Sequence, residues 1–234
     1  MRRLTTIAVF LLLLAAGAAG SEPTVSQLLS LKAEGMKEGD RLQNVAYCMA
    51  AGQKARESGQ FGTALDLFTK SLELDPERTE AHLQKALLFG DDRVGLHALA
   101  VSELRLFLAA NPGDGQALAH LGWEYRMNGR IDEAMEQFKA AAARDPGDWW
   151  IRERYGELLI AYTDRIQDGI DSEIAALSRG DPDPFPHTFL AQGYFILGKY
   201  AEARASATRA AAALSARGIR PDDMNRLLAA IEGK

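Results

Sequence analysis

Leu118, Leu121, Gly122 and Tyr125 fall at i, i+3, i+4 and i+7, the spacing of one stripe along a helix. Downstream, Ala134 and Phe138 stand one helical turn apart and so share a face. Between the two stripes comes Gly129, suited to a left-handed cap that ends the first helix. After them the alanine-rich run AAAAR halts at Asp145-Pro146. Proline cannot continue a helix, and it drives the residue before it toward extended backbone. The pattern predicts helix, Gly-containing turn, helix, Pro-containing turn.

The break recurs. Asp75-Pro76, Asn111-Pro112, Asp145-Pro146 and Asp181-Pro182 lie 36, 34 and 36 residues apart. Twelve residues before each proline stand Ala64, Ala100, Ala134 and Ile170, followed one turn later by Phe68, Leu104, Phe138 and Ile174. Gly59, Gly95 and Gly129 precede three of these pairs by five residues. A period of this length marks stacked repeats, because a lone hairpin leaves apolar faces wet until neighbours cover them.

The phased set resembles the tetratricopeptide repeat, whose pattern is W-x2-L-G-x2-Y, then A-x3-F, then P. Residues 118–146 carry it best: Leu118, Leu121-Gly122, Tyr125, Ala134, Phe138 and Pro146. Residues 48–76 follow with Gly52, Ala64, Phe68 and Pro76, and 187–207 with Leu190-Ala191, Tyr194 and Ala203. Residues 82–112 and 152–182 are degenerate, each with two extra residues between its helices. The resemblance implies an all-α fold, a right-handed superhelix of stacked helix-turn-helix units. The expected units are about 45–78, 79–114, 115–148, 149–183 and 184–216, with a helical lead-in at 21–44 and a capping helix at 217–234. The cap rests on Met224, Leu227, Leu228 and Ile231, an i, i+3, i+4, i+7 stripe after Pro221.

In proteins of this kind the first helices line a concave groove that takes peptides. The resemblance places Ala119, Trp123, Arg126, Met127, Trp150, Glu153, Glu157, Phe185, Gln192 and Phe195 along that groove. Aromatic anchors among mixed polar groups suit a binding surface. Alternatively, Trp149 and Trp150 seal the joint between units. The family's two-carboxylate clamp of Lys, Asn and Arg is missing here apart from Arg154.

Residues 1–20 read differently. Arg2-Arg3, the apolar Ile7–Ala16 and the small residues Ala16–Gly20 have the layout of a secretory signal peptide. The apolar run falls short of the roughly 20 residues that span a bilayer. Export to a periplasm or extracellular space is expected, with membrane attachment only if this segment stays uncleaved. Cleavage after Gly20 would leave 25 basic against 32 acidic residues, where the full chain has net charge −5.

That acidic balance argues against a nucleic-acid surface. A single cysteine, Cys48, excludes an intramolecular disulfide and a Cys-based zinc site. His82, His97, His120 and His187 are scattered without metal-ligand spacing, and phosphate-loop and nucleophile-elbow motifs are lacking. Asp91-Asp92 and Asp181-x-Asp183 are expected to be solvated turn residues. The sequence therefore predicts no catalytic residue, cofactor or metal. It predicts a scaffold that binds a protein or peptide, with a tethered envelope subunit or a small-molecule binder or enzyme as alternatives. An enzyme would be favoured if His120, Arg126 and Glu157 converged.

Overall fold

The computed structural model describes residues 22–179 and 185–234, which are helical with no strand among them. Residues 1–20, Asp181-Pro182 and the Asp181-x-Asp183 pair lie outside the described residues. The chain divides into a unit ending at Ala110 and a second beginning at Asn111.

The first unit opens with α1 (Val25–Leu29), followed by the hairpins α2 (Glu38–Glu57)/α3 (Phe61–Leu74) and α4 (Glu80–Phe89)/α5 (His97–Ala110). Thr24 and Gln27 form a capping box at the start of α1, with the Thr24 N–H donating to Gln27 Oε1 over 2.8 Å. Helix α2 begins at Glu38, within the expected lead-in at 21–44, and Gly39 lies in its first turn. Glu38 and Asp40 there complement the positive end of the helix. Leu28 of α1 packs with Val45, Cys48, Leu67 and Leu74. At five residues, α1 covers only part of the α2/α3 face. Beside it remains a cavity of about 410 Å³ whose lining includes Val25, Tyr47, Ala51, Lys54 and Ala55.

The second unit holds three hairpins and a cap. They are α6 (Gly115–Met127)/α7 (Ile131–Arg144), α8 (Trp149–Tyr162)/α9 (Ile166–Ser178) and α10 (Phe185–Ile196)/α11 (Tyr200–Ala216), then α12 (Asp222–Glu232). Asp114 and Asp148 cap α6 and α8 by accepting from Ala117 N at 3.0 Å and Ile151 N at 3.1 Å. The turns share one device. Gly59, Gly129, Gly198 and Gly218 have φ of 72–74°, and the next N–H reaches back to a carbonyl of the helix just ended. Those bonds run from Gln60 to Ala55 (2.8 Å), Arg130 to Tyr125 (2.9 Å), Lys199 to Tyr194 (2.9 Å) and Ile219 to Leu214 (3.0 Å). Met224 and Ile231 of α12 are buried, and Met224 joins a cluster with Ala191, Ala207, Ala210 and Leu214.

In three hairpins a glycine lies at the closest approach of the two helices. A Cβ on Gly52 would stand 2.6 Å from Phe68 Cε1, and one on Gly122 2.9 Å from Phe138 Cδ2. The fourth hairpin departs from the expected register. Ile170 is buried as expected, but Ile174 is 46% exposed. The residues facing Gly156 are instead Gly169 and Glu173. A Cβ on Gly156 would lie 2.9 Å from the Gly169 carbonyl, and one on Gly169 3.0 Å from the Gly156 carbonyl. Two glycines let the α8 and α9 backbones touch, which moves the slot one residue earlier in α9. Glu173, fully buried, thus occupies the position that Phe68 and Phe138 hold in other hairpins.

Candidate functional site

Helices α6, α8 and α10 lie in sequence within the second unit, and α8 contacts α10 directly. The α6–α8 joint is filled by rings. Trp150 stands 5.6 Å from His120, 6.5 Å from Trp123 and, edge-on, 6.1 Å from Phe138, between ring centroids. Trp150, placed along the groove by the resemblance, thus packs on the preceding hairpin, as the alternative of a sealed joint has it; Trp149 is half-buried beside it. Asp148 adds a second tie: besides capping α8 it accepts from Gln116 Nε2 of α6 at 2.6 Å.

Beyond the rings lies a network of four charges. The two carboxylate oxygens of Glu157 each take one guanidinium, Arg126 from α6 and Arg154 from α8, the latter at 2.8 Å. Arg154 also donates to Glu153 over 3.1 Å. Both guanidinium carbons sit 5.2 Å from the Trp123 ring centroid, within cation–π range. Glu153 is fully buried and Glu157 is 4% exposed. A buried carboxylate needs such partners, since an isolated charge out of water is strongly disfavoured.

These contacts redistribute the expected groove residues. Ala119, Glu153 and Glu157 are buried rather than open, because the two hairpins close over them. Trp123, Arg126, Trp150, Gln192 and Phe195 are half-buried, and Phe195 meets Tyr200 edge-on at 5.7 Å. Met127 and Phe185 are exposed at 40% and 37%, together with Ile196 at 58%. The open part of the face is apolar, at the ends of its helices. Sequence reasoning noted Arg154 only as the remnant of a clamp. Its i,i+3 spacing to Glu157, read together with Arg126, was the available signal for this network.

His120 meets the Trp150 ring, while Arg126 pairs with Glu157. His82 Nδ1 lies 2.6 Å from Glu103 Oε2, and Lys85 holds the other oxygen at 2.6 Å, joining α4 to α5. His187 has its pKa lowered by burial and, secondarily, by Arg209. Asp91 is engaged by the Arg93 side chain, which holds its carboxyl at about 2. Among the described residues no group of three or more His, Cys, Asp or Glu is arranged to hold a metal ion, and no helix is long and apolar enough to cross a membrane.

A family model described as "Tetratricopeptide repeat" matches residues 116–158, which run from α6 into α8. A small glutamine-rich tetratricopeptide repeat-containing protein 2 of Mycosarcoma maydis is 27% identical over 99 residues, 42% of this chain. The chain spans only 28% of that relative's length. Among solved structures, MamA aligns over 77% of this chain and 95% of its own, with a TM-score of 0.65 at 19% identity. YrrB, described as a TPR protein with an unusual peptide-binding site, aligns over 74% and 91% with a TM-score of 0.62 at 15% identity. Residues 116–158 thus match the tetratricopeptide repeat, and the described helical hairpins share the fold of solved proteins of that repeat type.

Proposed function

We propose that the chain is an exported interaction module that takes a peptide or protein segment along the α6–α8–α10 face, within an assembly of the cell envelope. The observation that carries this reading is the face itself. Met127, Phe185 and Ile196 are exposed apolar side chains on the first helices of their hairpins, and a charge network ties α6 to α8. Large apolar and aromatic groups on a rigid base form the kind of surface on which binding energy concentrates. The likeness to a peptide-binding repeat protein supports the class of ligand, by fold-level analogy. The layout of residues 1–20 supports the compartment.

The enzyme reading is weaker, because the titratable groups of this face neutralise one another instead of converging on an open cleft. A tethered subunit differs from the main reading only in keeping the N-terminal segment, so the mass of the mature N-terminus separates them. An intact Met1 would exclude cleavage.

The test of the face uses exposed positions, because Trp123 and Arg126 also hold the hairpins together. A photo-crosslinker at Met127 or Ile196 should capture an envelope protein, and Met127→Lys/Ile196→Lys should abolish its recovery at unchanged helicity. Recovery undiminished in that variant would move the binding surface elsewhere.

A further inference from the structure

We infer that Glu157 sets which partners the α6–α8–α10 face accepts: seated between Arg126 and Arg154, its carboxylate closes the face to acidic segments and leaves it to uncharged, apolar ones. The inference rests on reading that face as a peptide-binding surface.

Two arginines from neighbouring hairpins, both over one indole ring, make a seat for a carboxylate. Guanidinium groups pair with carboxylates through directed, charge-assisted bonds and stack on aromatic faces. Here the seat is filled from within, one Glu157 oxygen to each arginine, and Glu153 takes a further donor of Arg154. The four groups sum to zero charge. Of the ten positions expected along the groove, the charged ones are Arg126, Glu153 and Glu157, and all three belong to this network.

An incoming carboxylate would have to displace Glu157. That would strand a buried charge, which is strongly unfavourable, or leave two carboxylates side by side. An apolar segment on Met127, Phe185 and Ile196 requires neither. Glu157 stands one residue after Gly156, the position held by Trp123 after Gly122 and by Gln192 after Ala191. Its neighbours in the register are uncharged, so one residue determines the sign of the seat.

The test uses the whole protein and two dye-labelled hexapeptides that differ only in a central Glu-Glu or Gln-Gln pair between leucine and phenylalanine. Fluorescence anisotropy should find the native protein binding the Gln-Gln peptide about ten-fold more tightly, the order expected when like charges are juxtaposed. Glu157→Gln, of nearly the same shape, should reverse the ranking, and adding Arg126→Gln should cancel the reversal. An unchanged ranking in a Glu157→Gln protein with native circular dichroism overturns the inference while leaving the peptide-binding reading intact. Binding of neither peptide to either protein counts against both. Should Glu157→Gln fail to fold, the native ranking decides: preference for Gln-Gln supports the inference, and preference for Glu-Glu overturns it.

Discussion

At the scale of single residues, burial decides chemistry. Cys48 is fully enclosed, and that burial pushes its thiol from 9.0 up to about 11, with Lys70 pulling weakly the other way. An acid whose neutral form is favoured by folding keeps its proton in the native state after the unfolded chain has lost it. Stability is therefore unaffected below about pH 9 and falls as pH rises from there toward 11. A thiol reagent at pH 8 should leave native protein unmodified and label it on denaturation; rapid labelling of folded protein would mean that the site opens. The same cysteine was legible from its apolar neighbours Tyr47, Met49 and Ala50. Glu157 and Glu153 were not. In sequence they are charged residues on a helix, and the arginine that reaches Glu157 from α6 lies 31 residues away.

At the scale of helices and hairpins, the repeat register was legible wherever its small and aromatic residues were intact. Gly122 with Phe138 and Gly52 with Phe68 meet as their spacing requires. The α8/α9 hairpin misled because Ile170 and Ile174 look like a helical core pair, whereas contact between backbones at Gly156 and Gly169 selected a neighbouring stripe. No apolar pattern announces Glu173, because the slot it fills is apolar elsewhere. The glycines themselves provide a test. Gly156→Ala would push a methyl group to 2.9 Å from the Gly169 carbonyl, which cannot swing aside as a side chain can. Overpacking of this kind costs about 1–3 kcal/mol and outweighs the helix preference of alanine. Gly62, near the start of α3, has nothing within 4 Å of such a group. Gly62→Ala should be neutral or stabilising by up to about 1 kcal/mol. Urea unfolding of both variants checks the contrast, and equal effects would mean that the backbone contact is not tight.

At the scale of the molecule, two units each carry their own apolar clusters. Phe68, Leu88 and Phe89 centre one cluster of the first unit, while Ile160, Ile166, Ile170 and Leu190 form one in the second. In repeat proteins, stability is approximately a sum of such local and nearest-neighbour terms. Residues 111–234, expressed alone, should therefore retain a helical spectrum and a cooperative thermal transition; a fragment that remains unfolded would refute this independence. With a single cysteine, the folded chain should also melt at the same temperature with and without reductant. The repeating organisation was readable from the spacing of Pro76, Pro112 and Pro146, each of which follows the end of a helix. The division near Ala110 was not readable, because Asn111-Pro112 looks like every other break.

The brevity of α1 has a practical corollary for protein engineering. Five residues shield the outermost hairpin of the first unit, leaving beside Tyr47 and Ala51 a hollow of about 410 Å³. A designer wishing to lengthen the array could splice an additional module ahead of Glu38, replacing that small lid. The new module's second helix would inherit Val45, Cys48 and Leu67 as a ready-made docking strip.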